Sequence, residues 1–189
     1  MISENDKKNL IILARLTLAQ LFSSPRCERY EISELNPALQ EPRGVFVTLY
    51  SRHEEEKTLR GCIGTILPLQ PLYQAVIQNT IAAATRDFRF SPVTKEELSN
   101  IVLEINILTL PKKIASYEEI KLGRDGIIFH LGNVQSVFLP SVPLEFGWDL
   151  LKTLSQLALK AGLSADAWEA PGAWFEIFQS EVINPDIYD

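Results

Sequence analysis

Leu10, Ile11, Ala14, Leu18, Leu21 and Phe22 recur at the spacing of one helix face, which predicts an amphipathic helix over about residues 4–23. Ser3 and Asp6 suit its N-terminal cap, and Ser23-Ser24-Pro25 ends it. Residues 27–42 are irregular, and Cys27 within them reads as structural or incidental. From Gly44 to Tyr50 the pattern changes to alternation, with Val45, Val47 and Leu49 on one face of a strand and Phe46, Thr48 and Tyr50 on the other. The charged run 51–57 closes a hairpin whose second strand is Leu59–Ile66. Pro68 and Pro71 interrupt, and Leu72, Val76, Ile77, Thr80, Ala83 and Ala84 then mark a helix running to about Thr85. Its alanines point to close packing on the sheet. Thr94 and Glu97 form a capping box for one short helix, and Ile101–Leu110 alternates as a third strand, with Leu103, Ile105 and Ile107 opposite Glu104 and Asn106.

The same order then recurs. Ile127–Leu131, the turn Gly132-Asn133 and Val134–Leu139 read as a hairpin. Pro140 and Pro143 interrupt as Pro68 and Pro71 did, a helix follows over about 147–161, and a final strand spans Trp174–Val182. Strand, strand, helix, strand occurs twice, a period too long for a solenoid. The expected fold is α+β: largely antiparallel sheets with packed helices, a duplicated unit, and a single domain over 1–189 with a first lobe at 1–112 and a second at 113–189. The cleft between two such lobes is the expected place for a ligand.

Composition narrows the function classes. The chain has 189 residues, 46% hydrophobic and 22% charged, with a net charge of −6. That balance disfavours nucleic-acid binding and an anionic-membrane surface, both of which need clustered Lys and Arg. No apolar run is long enough for a bilayer and the polar start is no signal peptide, so a cytoplasmic protein is expected. Two cysteines and two histidines supply neither a disulfide framework nor a Cys/His metal site. A P-loop, a dinucleotide glycine fingerprint, a Gly-x-Ser-x-Gly elbow and a His-Glu-x-x-His motif are all missing, and no cofactor is expected.

The candidate chemistry lies in Leu59-Arg60-Gly61-Cys62-Ile63-Gly64-Thr65-Ile66. Glycine within a strand marks a bulge or a close approach by another group. Strict alternation would put Arg60 and Cys62 on one face, their Cα atoms roughly 6–7 Å apart, where a guanidinium favours the thiolate. The competing reading is a cysteine packed as a small hydrophobe beside an outward-reaching arginine. Glu104, in mid-strand, needs a partner such as an arginine if its face is covered. His53 reads as a loop residue, His130 as a satisfied strand histidine, and the three tryptophans as packing residues.

Leu59-Arg60-Gly61-Cys62-Ile63-Gly64-Thr65 closely resembles the signature of the AMMECR family. Arg86-Asp87 with Arg89-Phe90-Ser91-Pro92, Glu104, Phe138-Leu139-Pro140, Glu145 with Gly147-Trp148, and Lys160-Ala161-Gly162-Leu163 with Trp168 match further motifs in order, over about residues 8–183. The resemblance implies an α+β fold in two parts whose cleft is lined by the Arg-Gly-Cys motif, and association with Memo-like or radical-SAM-type proteins. It implies no settled activity. The sequence departs from the pattern at Asp125, where many relatives have histidine, and at Ala158, often cysteine, which leaves Cys62 as the sole motif thiol.

Two readings follow. In the first, an enzyme-like domain binds a small anionic or polar ligand through Arg60, Gly61, Gly64, Arg86, Asp87 and Arg89, with Cys62 as nucleophile or redox group and Glu104 as proton acceptor. In the second, a non-catalytic adaptor domain uses Cys62 and the Arg/Glu set only structurally.

Overall fold

Ser3 starts the first helix as its periodicity predicts. Its hydroxyl accepts the Asp6 N–H at 3.2 Å while the Asp6 carboxylate returns to the Ser3 N–H, and α1 runs Glu4–Gln20. The structure, a computed structural model, describes residues 2–23, 36–53 and 56–184, so Cys27 lies outside the described residues. A short helix α2, Pro37–Gln40, precedes the hairpin β1, Val45–His53, and β2, Glu56–Thr65. This ribbon extends further into the charged run than its hydrophobic pattern indicated, with Arg52 pairing Lys57 and His53 pairing Glu56. Helix α3, Leu72–Thr85, follows, and then β3, Ile101–Leu108. The capping box at Thr94 and Glu97 leads only to a 3-10 turn, Leu98–Asn100.

The chain divides into two compact units, 1–108 with 181–189, and 109–180. In the first, the sheet order is β2-β1-β3-β8, all antiparallel where β1 meets β2 and β3. Val45, Val47, Leu49, Leu103, Ile105 and Ile107 alternate onto one face and are buried there with Leu10, Ile11, Ala14 and Leu18 of α1 and with Leu72, Val76 and Ala83 of α3. The buried Asn79 ties α3 to the sheet by donating to the Val45 carbonyl at 2.9 Å. At Gly61 the helix comes so close that a Cβ would collide with the Ala83 carbonyl oxygen. The alanine face of α3 and the glycine of β2 are thus one packing feature.

The second unit carries β4, Lys112–Lys113, β5, Gly126–Leu131, β6, Val134–Phe138, and β7, Trp174–Phe178, in the order β4-β7-β5-β6. Gly132, at φ +58°, makes the tight β5–β6 turn. The helix expected over about 147–161 is α5, Leu150–Lys160, and a further short helix, α4, Ser141–Glu145, precedes it, the two separated at Gly147 with φ +63°. Pro143 lies inside α4 in its first turn, where its missing N–H costs nothing. Asp149 caps α5 by accepting the Lys152 N–H at 2.7 Å, and Leu154, Leu157 and Ala158 bury against Ile127, Phe129 and Phe175.

The final strand is also corrected. Trp174–Val182 is not continuous: β7 ends at Phe178, and β8, Ser180–Ile183, joins the first sheet beside β3. Gln179 is the break, where its N–H donates to Thr109 Oγ1 and its carbonyl accepts the Thr109 N–H, both at 2.8 Å. No helix among the described residues is long and apolar enough to cross a membrane.

Replacing Gly61 with alanine places a methyl group against the α3 backbone, which cannot yield as a flexible side chain would. The expected loss is about 1–3 kcal/mol of stability, measured as a lowered urea midpoint with unchanged m-value.

Candidate functional site

The β1–β2 register decides which groups of the motif meet. Leu49 lies opposite Gly61 and Tyr50 opposite Leu59, so Arg60 is the extra residue of a β-bulge. The bulge breaks the alternation that would have put Arg60 and Cys62 on one face. Cys62 lies opposite Thr48, on the face turned away from α1 and α3, and the Thr48 hydroxyl donates to the Cys62 sulfur at 3.3 Å. Thr48 in turn lies opposite Glu104 on β3. Cys62, Thr48 and Glu104 therefore form a row across three strands. Two strand spacings put the ends of that row roughly 9.5 Å apart at the backbone.

Arg60 is fully committed. Its Nε and Nη2 donate to the two Glu97 carboxylate oxygens at 2.7 and 3.1 Å, and its Nη1 and Nη2 reach the Ser91 and Pro92 carbonyls at 2.9 and 3.3 Å. This forked pair, first among its partners, holds the Glu97 carboxyl below its ordinary range. The Glu97 carboxylate also accepts the Thr94 N–H at 2.7 Å, so the capping signal in the sequence and the arginine tie share one side chain.

The guanidinium in electrostatic range of Cys62 is that of Arg89. It is placed by Asp87, whose carboxylate is 4% exposed and takes Arg89 Nε at 3.0 Å and Nη2 at 2.7 Å. The same carboxylate accepts the Cys62 N–H at 2.8 Å. Because β2 is an edge strand, that N–H has no neighbouring strand to pair with. Arg89 chiefly, with the two backbone N–H groups, holds the Asp87 carboxyl far below the ordinary carboxylate range, against the opposing effect of burial. Arg86 ends α3, its side chain exposed and without an ion pair among the described residues.

Glu104 does not meet an arginine. The groups that favour its charged form are the Lys57 ammonium and the Tyr50 hydroxyl. Burial pushes the Glu104 carboxyl up from its ordinary value and outweighs both. Tyr50 is pushed up as well, by burial first and then by Glu104 and Cys62. On the same face Asn106 Oδ1 is buried without a hydrogen-bond donor among the described residues.

Gly61 and Gly64 have packing work rather than open faces. The Ala83 carbonyl closes over Gly61, and the Phe46 ring lies where a Gly64 Cβ would be. Asp125 lies in the second unit, buried, its carboxylate accepting the Lys121 N–H at 2.9 Å and gripping Arg124. His130 is a satisfied strand residue, 2.8 Å from the Glu176 carboxylate. Residue spacing alone did not reveal Thr48 as the sulfur's donor, Glu97 as the partner of Arg60, or Arg89 in place of Arg60 near the thiol. The first needs the cross-strand register; the others join residues far apart in the chain, Arg60 with Glu97 and Cys62 with Arg89.

Comparison with known proteins shows the family. Residues 11–183 match the AMMECR1 family. A protein of Methanocaldococcus jannaschii is 45% identical over 148 residues, covering 75% of this chain and 73% of its own length. A protein of Methanosarcina mazei is 40% identical over 189 residues, covering 96% and 92%. The crystal structure of an uncharacterised protein from Pyrococcus horikoshii superposes with a TM-score of 0.78 at 36% identity, covering 96% of this chain and 92% of that one. With nearly its whole length matched, this chain belongs to the AMMECR1 family.

Proposed function

We propose that the outer face of the first sheet binds a small polar or anionic ligand, with Cys62 as the group that reacts with it. The observation that carries this reading is the row Cys62–Thr48–Glu104 on a face the hydrophobic core does not use, accompanied by the unpaired Asn106 amide oxygen. Burying polar groups costs free energy that a purely structural face would avoid with apolar side chains. A ligand lying over Thr48 meets Glu104 at one end and the sulfur at the other.

Distance assigns the roles. Glu104 is about two strand spacings from Cys62, too far to take its proton directly. Glu104, raised by burial, instead exchanges a proton with the ligand's far end. Thr48 Oγ1 and the Arg89 guanidinium are the groups that stabilise negative charge developing on sulfur. Arg86 and Arg89 attract the anion, while Arg60, tied to Glu97, holds the loop and takes no part in binding. Asp87 acts through others, as a positioning residue for Arg89 and for the Cys62 backbone.

A thermal-shift screen of small phosphorylated and carboxylated compounds is the test. A binder at 100 times its Kd adds about 2.7 kcal/mol of stability. Glu104→Gln and Arg89→Met are expected to remove most of that shift, whereas Cys62→Ser keeps it and abolishes both alkylation of this site by iodoacetamide and any turnover. Binding that survives Glu104→Gln and Arg89→Met unchanged rejects this face as the site. Asp87→Asn separates structure from chemistry: loss of the buried charged acceptor is expected to cost about 1.5–3 kcal/mol. Because the folded-state carboxyl is depressed, its contribution is present above the unfolded value of about 3.9 and lost as pH falls below it. The stability gap between wild type and Asp87→Asn should therefore be constant near neutrality and shrink on acidification; a gap independent of pH down to 3 would show that the carboxylate charge contributes nothing.

A further inference from the structure

The second unit contains a cavity of about 670 Å³ that the reading of Cys62 leaves unused. One wall is the end of β4 with the segment after it, Lys113 to Tyr117; the other is Trp168 to Ala170 and the chain entering β7 at Trp174. Its aromatic walls are set in different planes. Tyr117 and Trp168 meet edge to face, centroids 5.2 Å apart at 79°. Trp174 lies flat on His130, centroids 3.8 Å apart at 5°, and the Glu176 carboxylate holds His130 at 2.8 Å. The Lys113 ammonium sits over the Trp174 ring, 4.6 Å from its centroid. A cation already occupies an aromatic face here, on a flexible and exposed stem.

The polar groups at this cavity decide the sign of ligand charge it takes. Lys113 is the only basic residue of the lining, and Glu169 opposes it. The backbone N–H groups of Ala115 and Ser116, which could otherwise cradle an anion, both donate to Glu119 Oε1, at 2.8 and 3.2 Å. The anion position is filled by the protein's own carboxylate. A cation on an aromatic face is the interaction this cavity already makes, with Lys113 as its occupant, and alkylated ammonium groups, weakly hydrated, gain most from it.

We propose that this cavity binds small organic cations, alkylated ammonium groups on an apolar body, seated on the face of Trp174 that Lys113 covers, with Tyr117 and Trp168 as further aromatic walls. Lys113 is then a tethered competitor that leaves the ring when ligand enters. The volume lies within the range of small-molecule sites and exceeds what the ammonium head alone requires, leaving room for the body that carries it.

Choline and its neutral isostere 3,3-dimethylbutan-1-ol test this, followed through the indole N–H signals of Trp168 and Trp174, with Trp148, outside the lining, as internal control. Choline should give saturable shifts at Trp168 and Trp174, with the alcohol at least about tenfold weaker. Lys113→Ala should tighten choline about threefold or more, and choline shifts that emerge only in this variant support the competitor role equally. Trp174→Leu, and independently Trp168→Leu should the first disturb the β5–β7 stack, should weaken choline at least about fivefold with the remaining spectrum intact. Equal affinity for choline and the alcohol, unchanged or weaker choline binding in Lys113→Ala, or no saturable shift even in that variant would overturn the proposal. Cys62→Ser should leave every one of these readouts unmoved, which keeps this test separate from that of the first unit.

Discussion

A buried carboxylate at the open edge of a sheet organises the first unit. An edge strand presents N–H groups with no neighbouring strand to receive them, and Asp87 receives that of Cys62. The carboxylate is affordable in this buried position because Arg89 supplies a two-pronged charge partner from only two residues away. Its effect reaches beyond one hydrogen bond. Asp87 sits just after α3, so the bond fixes the end of that helix against the strand over which the helix packs at Gly61. Arg60 adds a second fastening to the same loop through Glu97 and the Ser91 and Pro92 carbonyls. Together these ties consume Arg60, Gly61 and the Cys62 backbone, while the Cys62 sulfur, on the opposite face, meets the Thr48 hydroxyl.

Alternation and helical spacing made most of the scaffold readable. Val45, Val47 and Leu49 against Phe46, Thr48 and Tyr50, and Leu103, Ile105 and Ile107 against Glu104 and Asn106, fall on the faces their pattern assigns. What the pattern could not carry was a one-residue irregularity. A bulge at Arg60 reverses the expected facing of arginine and cysteine, and its signal, a glycine beside a charged residue, does not say which residue is extra. Likewise, Gln179 transfers the final strand between sheets, and no proline or glycine marks the change. Pro140 and Pro143 read as breakers yet open a short helix, since proline is equally at home in a helix's first turn.

The sequence named the residues gathered around Cys62 without showing how they pair, and it placed Arg60, Gly61 and Gly64 among the ligand-binding residues where the structure has them in ties and packing. Cys62, Asp87, Arg89 and Glu104 were all identifiable as residues a core does not require. Which arginine serves which acid depends on where the loop after α3 returns, and that is set by tertiary packing. Glu97 illustrates the ambiguity: its position three residues after Thr94 is a complete local explanation, and the Thr94 N–H bond is present, but the larger electrostatic partner is Arg60 from another strand. Local sequence grammar gave a true interaction and concealed the stronger one.

Three strands of each sheet run in one order, a hairpin whose first strand is central, flanked by the strand that follows the helix, while the fourth differs, β8 ending the first sheet and β4, which precedes the hairpin, ending the second. Each also sets a phenylalanine ring over a cross-strand glycine, Phe46 on Gly64 and Phe178 on Gly126. The scaffolding is alike, yet the outer faces differ in kind. The first presents a thiol, hydroxyls and a desolvated carboxylate; the second presents His130, Glu176, Trp174 and Lys113 in a chain of stacked and charged contacts. Buried-face packing dictates neither set, because the core in each unit is satisfied by aliphatic and aromatic residues on the opposite face. Function on this fold is therefore argued from the outward residues of each sheet separately, and shared strand order is no ground for assigning them a shared ligand.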